Sequence, residues 1–152
     1  MIRIHQVLTN FPLSPNKDKE ENAYRIMYAE EIASVFRRFE KDVERTSENL
    51  TTETSECERM RSSANYVIYH LDSIQIDPVG LIDLVQDLIA RPKRTIIAIC
   101  SMNACSPLSE SVTKMYAHLQ KKFPSGDFTY LNSVSEVASF IESKLNNKPV
   151  EN

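Results

Sequence analysis

The chain has 152 residues, of which 41% are hydrophobic and 26% charged, with 18 Lys plus Arg against 21 Asp plus Glu. Those values suit one globular domain that can bury a core without disulfides or a structural metal, and they exclude a wholly disordered chain. A net charge of −3 argues against a dedicated nucleic-acid binder, and a total of 2 Gly excludes collagen and any Gly-rich phosphate loop.

Met1 to Gln6 is followed by no apolar run of the kind a signal peptide needs, and the longest such run, Ile96 to Cys100, is too short to span a bilayer. The cysteines are sparse and odd in number (Cys57, Cys100, Cys105), which suits reduced thiols in a cytoplasmic setting. Ile2 to Leu8 alternates in part and reads as a strand. Asn10 to Asn22 is polar, carries Pro12 and Pro15, and reads as a loop. Tyr24, Ile26 and Tyr28 alternate, which predicts a short second strand. Ile32, Ala33, Phe36, Phe39 and Val43 then recur at three and four residues, predicting an amphipathic helix from about Ala29 to Arg45. Thr46 to Ser63 has no sustained period; it reads as a polar insertion or as a frayed extension of the preceding helix.

Tyr66 to Leu71 is nearly all strand-forming, as expected of a strand covered on both faces, and Ile74 to Ile76 continues it. Asp77 is placed to cap a helix that Pro78 opens, because proline needs no amide partner at the first helical position. Leu81, Ile82, Leu84, Val85, Leu88 and Ile89 give that helix a wide apolar face, and Arg91-Pro92 stops it. Thr95 to Ser101 is a further central strand, and Ser106-Pro107 repeats the cap-and-proline start before a helix through Phe123. A strand over Phe128 to Leu131 and a capping box, Ser133 with Glu136, lead into a last helix through Leu145. Lys148 to Asn152 is a tail expected to fray. The expectation is a single α/β domain over 1–147: a small, mixed, mostly parallel sheet of about five strands flanked by four helices.

Ile76-Asp77-Pro78-Val79-Gly80-Leu81, with Tyr66 to Leu71 before it and the closing stretch from Phe128 to Ile141, resembles the STAS domain. That family includes anti-sigma-factor antagonists and the cytoplasmic tails of sulfate-permease-type anion transporters. The resemblance implies a non-catalytic regulatory module that docks a protein partner through Asp77, Pro78, Val79, Gly80, Leu81 and Ile82. It also implies that a membrane is reached only through a partner or a parent transporter. The antagonist branch carries a phosphorylatable serine directly after the Asp; here Pro78 stands there, and Val79 after it has no hydroxyl either. A weak nucleotide or anion contact is allowed where Asp77 and Ser106 precede helix starts, and a homodimer is open to such a module.

The chemical alternative is a small α/β enzyme or ligand-binding domain with a site near Asp72, Asp77 and Cys100, joined by His70. Paired carboxylates can do acid–base work, yet the histidines lack metal-ligand spacing and Ser101 lacks a nucleophile elbow, so no cofactor and no metal are expected. The basic groups Arg37, Arg38, Lys41 and Arg45, Arg59 and Arg61, Arg91, Lys93 and Arg94, and Lys121 and Lys122 read as solvated surface or as a face toward an acidic partner.

Overall fold

The computed structural model describes residues 1–8, 19–49, 52–72, 78–100, 110–124, 129–131 and 133–147. Strands and helices alternate along them: β1 (Ile2–Val7), α1 (Lys19–Arg38), β2 (Val43–Glu48), α2 (Thr54–Ser63), β3 (Tyr66–Asp72), α3 (Pro78–Ala90), a 3-10 turn (Pro92–Arg94), β4 (Thr95–Cys100), α4 (Glu110–Lys122), β5 (Thr129–Leu131) and α5 (Val134–Asn146). The strands form one sheet in the order β2-β1-β3-β4-β5, and all four pairings are parallel. This is the strand order of doubly wound, flavodoxin-type sheets, in which the chain reverses direction between β1 and β3.

Because parallel crossovers are right-handed, that reversal sends the helices to opposite faces. On one face Tyr28, Ile32 and Phe36 of α1 and Val137 and Ile141 of α5 cover Ile4, Ile68, Ile96 and Ala98. On the other, Leu84 and Leu88 of α3 and Leu119 of α4 cover Val7, Val67, Tyr69, Ile97 and Ile99. Fully buried aliphatics such as Leu84 and Ile97 each contribute about 1.5–3 kcal/mol by leaving water. Among the described residues no helix is long and apolar enough to cross a membrane.

The first third of the chain departs from the sequence expectation. Tyr24 to Tyr28 lies inside α1 and is not a strand. The helical turn there buries Arg25 and Tyr28 and leaves Ile26 and Met27 exposed. The helix expected to reach Arg45 ends at Arg38, and β2 begins at Val43 after a tight backbone turn in which Val43 donates to the Phe39 carbonyl. The segment expected as a polar insertion, 46–63, contains the second half of β2 and all of α2. Among the described residues the sheet is therefore parallel throughout, where a mixed sheet was expected, and it carries five α-helices, not four.

Candidate functional site

The side chains of α3 divide by helical angle. Gly80, Leu84, Asp87 and Leu88 are buried, and Leu81 and Val85 lie half-buried against the same core. Val79 (62%), Ile82 (68%) and Ile89 (70%) are exposed. Pro78, Gln86 and Ala90 share that outer face. Of the helix's two acids, Asp83 stands at the edge of that face with its side chain about a third exposed (31%), and Asp87 is buried. Asp83 pairs with Arg61 of α2 at 3.3 Å, and Asp87 receives the Tyr69 hydroxyl and the Arg91 guanidinium.

Between α2 and α3 lies a cavity of about 420 Å³, lined by Glu48, Cys57, Arg61, Val79, Asp83 and Gln86, with others. A buried ion pair forms its floor. Arg61 meets Glu48 through two contacts of 2.6 Å each, and His5 Nε2 lies 2.7 Å from the same carboxylate while its Nδ1 reaches the Thr46 hydroxyl at 2.8 Å. Burial alone would raise the Glu48 pKa. Hydrogen bonds from His5, Arg61 and Cys57 outweigh it and hold the carboxyl down to about 2. Burial, reinforced by the Glu48 charge, pushes the Cys57 thiol up to about 11, so it stays protonated and is a poor nucleophile. The guanidinium of Arg61 stacks 5.8 Å from the Tyr69 ring centre.

A second buried polar group sits on the α1 face, where the carboxyl ends of β1 and β3 meet. Arg25 of α1 pairs with Asp72 at 2.8 Å, both side chains wholly enclosed. Tyr28 lies 2.9 Å from His70 Nδ1, and His70 Nε2 lies 2.7 Å from Gln6 Oε1. Both ring nitrogens of His70 are thus engaged by buried neighbours. Burial, aided by the Arg45 charge, lowers the His70 pKa to about 3, which keeps the ring neutral at ordinary pH.

Of the residues expected at a docking face, Val79 and Ile82 are presented outward, Pro78 shares that face, and Gly80 and Leu81 are turned inward. Asp77, Ser101, Cys105 and Ser106 lie outside the described residues, as does the Cys100 side chain, so the anion contact proposed at Asp77 and Ser106 falls there too. His70 and Asp72 lie on one side of β3, but each is engaged with core partners. Of the groups expected on a basic surface, Arg61 is buried and holds Glu48, and Arg91 is half-buried, holding Asp87 and reaching Glu58 at 3.4 Å. Sequence reasoning missed Arg25, Glu48 and Arg61 as inward groups. A trace of signal exists in Cys57 and Arg61, spaced four apart on one helical face. Among the described residues no group of three or more His, Cys, Asp and Glu side chains is placed to hold a metal. The chain matches no protein-family model, and no curated protein or solved structure matches it either.

Proposed function

We propose that this chain is a non-catalytic interaction module that docks a protein partner through the outer face of α3. One observation carries the reading: in a chain that is 26% charged, the most exposed positions of this helix are uncharged, and Val79, Ile82 and Ile89 are each more than three-fifths exposed. Large apolar side chains grouped on a soluble surface mark contact sites, whereas single ones do not. The chemistry elsewhere supports a binding role, since His70 is enclosed and neutral and the Cys57 thiol is protonated. The STAS resemblance points to the same helix: β3 feeds α3, and the family docks through the loop and helix after that strand. The chain's N-terminal half, with a helix between its first two strands, gives that family reading no support.

The reading is tested with a photo-crosslinking residue at Gln86, illuminated in an extract of the cells that make the protein. An adduct is expected from Gln86 and not from Glu142, an exposed position on α5. Ile82→Asp should remove the adduct while moving the unfolding free energy by no more than about 0.5 kcal/mol, as befits an exposed site. An adduct that survives Ile82→Asp, or that forms equally at Glu142, removes α3 from the interface.

A further inference from the structure

A second cleft lies across the sheet from α3, on the face that α1 covers. It opens between the second half of α1 and the edge strand β2, and Glu30, Ala33, Ser34 and Arg37 of the helix line it with Arg45 of the strand. We infer that this cleft binds a small phosphate monoester, with Arg37 and Arg45 on the phosphate and Glu30 on a hydroxyl or amino group of the organic part. Its volume of about 450 Å³ lies in the range of small-molecule sites and exceeds what bare phosphate fills.

The two guanidinium groups single the cleft out. Arg3, Arg25, Arg59, Arg61 and Arg91 each hold a carboxylate. Among the described residues Arg37 and Arg45 hold none, and Glu30 in the same cleft lies beyond ion-pair distance of both. Each arginine is nonetheless positioned. Arg37 donates to the Ser34 hydroxyl at 2.8 Å, and Arg45 stands 5.3 Å from the centre of the buried Phe36 ring. Neither contact cancels the charge, and most of the N–H donors remain for a ligand. The negative end of the α1 dipole explains a cation at Arg37 but not at Arg45, which comes from a different element. One guanidinium fork fills a carboxylate, whereas two suit a phosphate, which offers more oxygens. Glu30 stands seven residues before Arg37, about 10 Å along the helix. Its carboxylate repels a second phosphate, which disfavours polyanions, and accepts hydrogen bonds from hydroxyl or amino groups.

Ribose phosphate (the primary ester), ribose and inorganic phosphate are each titrated into the full chain and followed by nitrogen–proton correlation spectra. Ribose phosphate should bind with a Kd of about 1 mM or below, shifting the amides of Ser34, Arg37 and Arg45. Inorganic phosphate should bind at least several-fold more weakly, and ribose not at all. Arg37→Gln and Arg45→Gln should each weaken ribose phosphate about tenfold or more, since each removes charge-assisted hydrogen bonds. Glu30→Gln should weaken ribose phosphate but tighten inorganic phosphate, for which the acid offers only repulsion. Arg59→Gln, on α2, should change neither. Far-ultraviolet dichroism and urea midpoints confirm that each variant is folded. The inference is overturned if ribose phosphate produces no saturable shift, if ribose binds as well as its phosphate, or if both arginine variants bind like the wild type. A phosphoserine peptide that binds where ribose phosphate does not overturns the small-molecule ligand. None of these results bears on α3, whose test is the Gln86 adduct.

Discussion

Charged and titratable side chains occupy core positions in this protein, and they set its response to acid. His70 is enclosed with its pKa lowered to about 3, while in the unfolded chain it binds a proton below its ordinary value of 6.5. Between those limits the unfolded state holds more protons, so stability falls as pH falls. Glu48 acts in the same direction: its carboxyl stays ionised in the fold down to about 2 but is protonated below 4.5 when unfolded. Each group tilts stability by about 1.4 kcal/mol per pH unit within its window. Urea midpoints should therefore decline from pH 6.5 downward and more steeply below 4.5, where both groups contribute. His70→Gln should flatten the upper part of that decline and leave the lower. A wild-type midpoint that is level between pH 7 and 4.5 contradicts the enclosed, neutral imidazole. Little of this was legible in the sequence. Arg25 is indistinguishable by type from the exposed Arg37, and only its enclosure with Asp72 reveals its role.

The elements that sequence reasoning recovered are those with apolar inward positions. In α3 the inward residues include Leu84 and Leu88, and in α5 they are Val137, Ala138 and Ile141. The elements it missed or misplaced are those whose inward positions hold charge: Arg25 in α1, Glu48 at the end of β2 and Arg61 in α2. Hydrophobic periodicity reads 46–63 as a polar connection for that reason, while at the start of α1 it takes the alternation of Tyr24, Ile26 and Tyr28 for a strand, although Ile26 is exposed. Local hydrogen-bonding signals survive where periodicity does not. Ser133 was read as an N-cap from its spacing to Glu136, and its hydroxyl does accept from the Glu136 amide at 3.2 Å. Ser133→Ala should lower stability by about 1 kcal/mol, with Ser133→Asp restoring most of it. The comparison is read from urea midpoints at neutral pH, and an unchanged Ser133→Ala midpoint shows that the cap contributes nothing to the fold.

At the scale of the whole molecule the sheet order sets where opening begins. β1, β3 and β4 are interior, and β3 and β4 pair over six positions, from Val67 with Thr95 to Asp72 with Cys100. Among the described residues β5 is an edge of three residues that meets β4 over Ile96 to Ala98. Separating β3 from β4 breaks both cores at once, since Ile68 and Ile96 belong to one and Tyr69 and Ile97 to the other. The sequence conveys β1, β3, β4 and β5 but neither β2 nor this order, because contacts across a parallel sheet join segments that are far apart along the chain. Native-state hydrogen exchange reads the order directly. The amides of Ile68, Tyr69, Ile97 and Ala98 should exchange only through global unfolding. Those of β5 should exchange through a local opening at least about 3 kcal/mol less costly, which is roughly a hundredfold faster. Equal protection in β5 and β3 means that the edge does not open alone and that the sheet unfolds as one cooperative body from β2 to β5.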